Sequence, residues 1–426
     1  MTSIVRWTYH GAFRLRIWMA VACALCSLAC DGTPQLAVEF SDAEWRRMRG
    51  AKLPEMLPAD PSNRYADDPR VADFGETLFF DERLSPEGVT CATCHPPEEN
   101  WGVGSVDFGA FSRRVPSLLN VGHQRWFGWA GQNDTLWSQI VGPLENPREM
   151  KSDRLYLAHA IFDNPDLREA FETHFFEMPP LDDLERFPMR GRPGGSDDDP
   201  LQESWLALTE EDRAQIDDVL VAVAKAIAAY ERTLLTEKSA FDVFVEQVEA
   251  GETGAALALS PVEQQGAKLF FGDAQCHLCH SGPMFSDFEF HNLGLPSQNA
   301  VVPDLGRLAG VDRVLRDPFN LLSRHNDDPD EATADKIRFL RADSSQSGQF
   351  KTPSLRNAAD RGPYMHSGEL ETLSDVVDFY ARLPGVAAVG HREETLVELT
   401  LAPEDLDSLI AFLHALSAPE RVRSSE

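Results

Sequence analysis

Cysteine is scarce in this chain, and where it falls is more telling than how often. Seven cysteines occur in 426 residues. Cys23, Cys26 and Cys30 lie in or beside an N-terminal leader-like stretch, which leaves two close pairs and no disulfide framework to propose. Long apolar runs are also missing. Beyond Ile17 to Ala29, nothing approaches the ~20 apolar residues that cross a bilayer as a helix. Positive charge is in deficit, with 39 Lys+Arg against 69 Asp+Glu and a formal charge of −30. That balance argues against nucleic acid, whose phosphates would repel the chain. It suits a basic protein partner, or simply a solvated acidic surface. Strand signals are few, so the fold class expected is mostly α, in a chain long enough for two or three domains.

Arg6, Arg14 and Arg16 precede the apolar stretch as a basic n-region, so residues 1–29 read as a signal peptide. Ser27-Leu28-Ala29-Cys30 resembles a bacterial lipobox with Cys30 as the lipidated first residue. Ser27 stands where Leu is usual, and ordinary cleavage is the alternative. A periplasmic protein, lipid-anchored through Cys30, is expected, with the anchor as its single membrane contact.

The two cysteine pairs carry the chemistry. Cys91-Ala92-Thr93-Cys94-His95 and Cys276-His277-Leu278-Cys279-His280 are both C-x-x-C-H, the haem c attachment signature. Two thiols at this spacing reach the two vinyl groups of one porphyrin, and the histidine lies under the iron. A zinc half-site or a redox CxxC is the bland reading, but neither flank offers a thioredoxin-like βαβ context. Two covalently bound haem c groups follow.

Each motif ends a similar segment: Leu78-Phe79-Phe80 or Leu269-Phe270-Phe271, a short turn, then C-x-x-C-H. Each is followed by P-S-L-x-N, at Pro116–Asn120 and Pro353–Asn357. This duplication indicates two cytochrome c-like domains, each carrying one haem. Residues 30–65 read as a tether, 66–245 as the N-terminal domain and 246–426 as the C-terminal domain, the lobes meeting near 240–258. Helices are expected from Val71 to Phe80, from Leu155 to Phe175 in one or two pieces, and from Glu210 to about Leu235 behind Thr209. Others start at the Ser260–Glu263 capping box and run from Ala402 to Leu416. Residues 179–200 read as a flexible surface insertion and 309–347 as a loop-rich one.

A haem's task is set by its sixth ligand. No His or Met lies between His95 and Pro116, and His123 falls outside that loop, so the first haem is expected to be open. Peroxide cleavage there needs a base to take a proton from bound HOOH and return it to the leaving oxygen. The stretch from Gln139 to Met150 reads as a rigid turn around Pro143 that offers an amide and carboxylates, although a Glu in such a turn is ordinarily solvated.

Together these residues resemble the bacterial dihaem cytochrome c peroxidase/MauG superfamily over roughly residues 66–420. The resemblance rests on Leu78–His95, Pro116–Asn120, Trp129–Met150, Leu269–His280, Phe350–Asn357 and Pro363–Gly368. It implies Trp129 as the interhaem tryptophan, Gln139 as the distal-pocket amide, Pro143 as the pocket proline and Glu149 as the catalytic acid–base. On spacing alone, Trp129 could be an ordinary core aromatic. The family divides at the second haem, where peroxidases place Met and MauG-like members Tyr, twelve residues after the motif glycine. Here that residue is Tyr380, whose anionic, hard oxygen would favour higher iron oxidation states.

Departures are present. Trp129-Ala130-Gly131-Gln132 replaces Trp-Asp-Gly-Arg, and Ala274 stands at MauG's surface tryptophan, so the same protein substrate does not carry over. Arg114 occupies the Asn position of the family's interhaem calcium, which argues against calcium and offers a guanidinium charge instead. His366 matches a histidine implied to act through a hydrogen bond near the second haem. The expected enzyme uses hydrogen peroxide: His95 holds the reactive iron, and His280 and Tyr380 hold the electron-transfer iron. The redox partner is a small cytochrome, a cupredoxin or a protein substrate. The alternatives are an ordinary dihaem cytochrome c peroxidase and a non-enzymatic electron carrier.

Overall fold

The computed structural model describes residues 36–422, apart from 197, 253–255, 297, 300, 329, 331 and 360. The leader and Cys30 lie outside them. The helices longer than one turn are α1 (Asp42–Gly50), α2 (Pro69–Phe79), α3 (Leu136–Glu145), α4 (Arg154–Phe162), α5 (Pro165–His174) and α6 (Pro200–Ala207). They continue as α7 (Glu210–Glu231), α8 (Ala240–Glu249), α9 (Pro261–Phe271), α10 (Arg307–Arg316), α11 (Leu373–Arg382) and α12 (Pro403–His414). The named strands of the described residues form two antiparallel pairs, β1 (Ser105–Asp107) with β2 (Ser112–Arg114) and β3 (Phe290–His291) with β4 (Phe350–Lys351). The fold is mostly helical, as expected.

Helix α7 is the axis of the first lobe. Thr209 caps it by accepting from the Asp212 N–H, and Glu210, Glu211 and Asp212 face the positive end of its dipole. From Val219 to Glu231 every side is buried, so the helix sits inside the lobe rather than on it. It stops at Glu231, four residues short of the expected Leu235. Helix α2 packs along it and α9 packs along α12 in the second lobe. Both approaches rest on a glycine. A Cβ on Gly75 would meet the Ala226 carbonyl oxygen at 2.0 Å, and one on Gly266 the Ser408 carbonyl oxygen at 1.9 Å. Each glycine lies three residues before its L-F-F triplet, so the duplication reaches into how each haem-bearing helix is seated.

Two apolar clusters accompany the two motifs. Cys91 and Ala92 pack against the one built on α2 and α7, and Cys276 packs against the one built on α9 and α12. The expected boundaries shift in three places. Residues from 36 onward are not a tether: α1 is closed by a Ser41/Glu44 capping box, and Met48 and Ala51 are buried in the second lobe's cluster. Phe241, Phe244 and Val245 also belong to that cluster, so the second lobe starts at α8. Residues 317–328 fold back on the first lobe, with Phe319 in its core and Asp327 paired to Lys225 at 2.6 Å and Arg64 at 2.7 Å. The 179–200 segment is likewise anchored, by buried Leu181 and Phe187 and by Arg186 on Asp212. The Leu155–Phe175 region divides into α4 and α5 at Asn164-Pro165.

In an open helix Gly→Ala gains about 1 kcal/mol from propensity. Gly75→Ala and Gly266→Ala should instead each cost about 3 kcal/mol, because the new methyl meets backbone that cannot turn aside. Urea unfolding of the single variants checks the sign.

Candidate active site

Each C-x-x-C-H histidine is held in the same way. Nδ1 of His95 lies 2.8 Å from the Trp101 carbonyl oxygen, and Nδ1 of His280 lies 2.9 Å from that of Phe285. With Nδ1–H donating, Nε2 keeps its lone pair for a metal. Burial lowers both pKa values, that of His95 to about 4, so the rings are neutral as ligation requires. No disulfide joins the described cysteines, at 91, 94, 276 and 279. Burial pushes the Cys91 and Cys276 thiols up, unlike the depressed thiolate of a redox CxxC.

A zinc reading has one foothold, since Cys279, Asp287 and His291 hold ligand atoms within 4.8 Å of one another. His291, however, has Nε2 3.0 Å from Asp287 and Nδ1 2.9 Å from Glu393. Asp287 first, then Cys279, raise its pKa to about 11, so it is an imidazolium with no lone pair to offer.

In the first lobe Glu149 lies close to Cys94, and Gln139 and Pro143 precede it on one helix. Gln139 and Pro143 lie within α3, a helix where a turn was expected. The turn follows it: the Met150 N–H donates to the Pro143 carbonyl at 3.1 Å and the Glu149 N–H to the Asn146 carbonyl at 3.0 Å. This folds Met150 Sδ to 3.9 Å from Cys91 Sγ. The two carboxylates of the stretch part company here. Glu145 is held by Arg154 at 3.0 Å, which is itself paired with Asp217. Glu149 accepts one bond, from Asn146 Nδ2 at 2.6 Å, and faces Cys94 closely enough to raise that thiol's pKa. Desolvation raises the Glu149 pKa, against smaller lowering by Asn146 and Arg313. Gln139 Oε1 is buried with no hydrogen-bond partner, an orphan of the kind a bound ligand satisfies. His123 lies elsewhere, beside Arg356 and Arg232.

The second lobe encloses a cavity of about 360 Å³ lined by Cys276, Cys279, His280, Tyr380, His366 and Trp129. Burial first, then the two thiols, push the Tyr380 phenol up. His366 stacks on Phe350 with ring centroids 3.7 Å apart. Trp129 joins the lobes: its indole N–H donates to the Arg114 carbonyl at 2.8 Å, and its own carbonyl accepts from the Lys351 N–H at 2.8 Å. The Arg114 guanidinium is buried and donates to the carbonyls of Gly104, Arg361 and Gly362 at 2.8, 3.1 and 3.2 Å. The cavity and donor set of the second lobe fit one covalently held haem there, and the first lobe repeats the C-x-x-C-H donor set.

The family model for di-haem cytochrome c peroxidase matches residues 69–250. Cytochrome-c peroxidase IdrP1 of Denitromonas iodatirespirans is 31% identical over 87% of this chain and 88% of its own. The chain belongs to the di-haem cytochrome c peroxidase/MauG family. Another relative, methylamine utilization protein MauG of Methylorubrum extorquens, is 27% identical over 94% of both chains. The fold is shared with a MauG-like protein associated with microbial copper homeostasis (TM-score 0.58, 23% identity, 86% of this chain and 95% of that one). The diheme peroxidase BthA from Burkholderia thailandensis shares it too (TM-score 0.58, 22% identity, 87% and 91%). The family implies two haem c groups, hydrogen peroxide as substrate and a redox partner.

Reading the sequence of this di-haem peroxidase misses Glu231. It ends α7 beside Cys91, buried, with a carboxyl that desolvation pushes up to about 8. Its one sequence signal is an acid at the end of an otherwise apolar run. The folded protein thus holds a proton that the unfolded chain releases in the ordinary carboxylate range. Stability should fall as pH rises from that range to about 8 and then level off. Glu231→Gln should remove about 2–4 kcal/mol of that loss between pH 5 and pH 9, read from urea unfolding at the two pH values.

Proposed function

We propose that this chain is a MauG-like dihaem c oxidoreductase that uses hydrogen peroxide to oxidise a partner protein or another electron donor. The observation that carries the branch is Tyr380, which lines the same cavity as Cys276, Cys279, His280 and Trp129. In this reading His95 would hold one haem and His280 with Tyr380 the other, and the bound haems would supply the iron that takes up peroxide and the iron that passes electrons. Glu149 accepts the proton from one peroxide oxygen and returns it to the other as the O–O bond breaks. Desolvation raises its pKa, which makes it a stronger proton acceptor than a solvated carboxylate. Gln139 orients the peroxide with its unpaired amide, and Pro143 sets the turn that carries Glu149. Trp129 lies between the lobes as the path for oxidising equivalents, and two electrons and two protons turn each peroxide into two waters. Arg114 stands in for calcium.

The site is read as periplasmic and held at the membrane only through a lipid on Cys30; among the described residues no helix is long and apolar enough to cross a bilayer. A basic redox protein, a small cytochrome or cupredoxin, or a protein substrate would meet the acidic surface.

Ordinary cytochrome c peroxidase is the second reading, favoured by relatives that carry that name. Ligation separates the two. Low-temperature EPR of the diferric protein should give one high-spin and one low-spin signal, both lost on adding one equivalent of peroxide. Tyr380→Phe should abolish the low-spin signal. If it survives, His366 or Met365, which line the same cavity, is the ligand and the MauG-like branch is wrong. Two low-spin signals indifferent to peroxide would point to an electron carrier.

Glu149→Gln should slow the peroxide reaction by about 10²-fold or more without changing the resting spectra. Unchanged stopped-flow rates would remove Glu149 from the mechanism.

A further inference from the structure

The second cavity has an unbalanced lining. Of its three carboxylates, Asp304 holds Arg113 and Glu393 holds His291, while Glu369, whose pKa desolvation raises, has one buried oxygen without a hydrogen-bond partner. Three of its cations, Arg114, Lys351 and Arg361, have no carboxylate, and Arg114 already donates to three carbonyls. Lys351 is buried, with Nζ donating to the Gln124 amide oxygen at 3.2 Å and lying over the Phe288 ring. Arg361 donates through Nη2 to the carbonyls of Gly102 at 2.7 Å and Val115 at 3.2 Å, while its Nε is buried without a partner.

Buried cations without counter-charge are costly. Desolvation lowers the pKa of Lys351 to about 8 and that of Arg361 to about 10, where Arg114 adds repulsion. Such a lining calls for anions delivered by the ligand. A haem brings two carboxylates, on the ring edge opposite the vinyl groups. Cys276 and Cys279 fix the vinyl edge in the second lobe. Lys351 and Arg361 lie toward the first lobe, the former through its backbone bond to Trp129 and the latter through Gly102 and Val115.

We propose that Lys351 and Arg361 form a two-point carboxylate dock that binds the propionates of the haem in the second cavity and turns that edge toward Trp129. The dock rests on the reading above that this cavity holds a haem c. It neutralises two negative charges beside one iron, and so makes that iron easier to reduce than it would otherwise be.

The test uses the purified dihaem protein. Pyridine haemochrome first counts covalent haem; a wild type with fewer than two would overturn the cofactor reading and the dock with it. With two present, Lys351→Gln and Arg361→Gln should each shift the propionate bending band in resonance Raman. Each should also lower the midpoint potential of the second haem, because a neutralising charge is lost. Lys351→Arg should restore both readouts and serves as the control for folding. An unchanged band and potential with both haems attached would overturn the dock, as would a shift confined to the first haem.

Discussion

The hydrogen bond from each proximal imidazole to a main-chain carbonyl is the constraint on which the two lobes are built. A histidine directly after a C-x-x-C turn can rotate about two bonds, and a metal ligand has to be stopped in one orientation. In the first lobe the stop is the Trp101 carbonyl, which also accepts the Leu118 N–H of the P-S-L-x-N segment. Trp101 is fixed in turn by its indole N–H on Glu420 at 2.7 Å and by edge contacts with Phe79 and Tyr230. In the second lobe the stop is the Phe285 carbonyl, and that ring sits among Phe241, Phe270, Phe271 and Phe412. The aromatic triplets before each motif therefore do more than fill volume: they immobilise the residue whose carbonyl aims the histidine.

Two ionic ties fix the arrangement, an almost dry one within the second lobe and one between the lobes. Arg356, from the second P-S-L-x-N segment, pairs with Asp242 of α8 with both side chains at most 2% exposed. It also donates to the Ala51 and Pro283 carbonyls, tying the N-terminal segment to the loop after the second motif. Across the interface, Asp327 brings residues 317–328 onto Lys225 of α7, and the Leu321 N–H donates to Asp134. Desolvation makes such pairs weak sources of net stability, but breaking one leaves a buried charge uncompensated. They select one arrangement, and Trp129 needs a fixed arrangement because it is bonded to both lobes at once.

The sequence disclosed most clearly what covalent and ligand chemistry forces into short spacing. The C-x-x-C-H turns, the capping box of α9 and the Thr209 cap of α7 follow from local rules. The kinship of the two lobes was also legible, though the signal used was incomplete: Gly75 and Gly266 extend the triplet into a longer G-x-x-L-F-F repeat, meaningful only once α7 and α12 are seen pressing on them. The misjudged segments have their purpose far away in sequence. Helix α1 is short and polar by composition and is held by Met48 reaching α9's cluster. Residues 317–328 look loop-like because their partners are side chains of the other lobe. Glu145 and Glu149 are equivalent as letters; Arg154, nine residues from one of them in the chain, makes the first structural and leaves the second available.

Charge has opposite signs at the two scales that matter. The chain as a whole is strongly acidic, at −30, yet the second cavity borders buried cations that have no acid of their own. The two do not cancel. Surface charges act through water and are screened within about 10 Å at ordinary ionic strength, whereas desolvated charges beside a cofactor are screened far less. The acidic exterior acts through water on whatever approaches it, with a strong salt dependence. The interior cations govern how the cofactor lies and how readily it changes charge, with little salt dependence. Surface charge and charge beside the cofactor can thus vary independently in this fold, because the medium around each screens them differently.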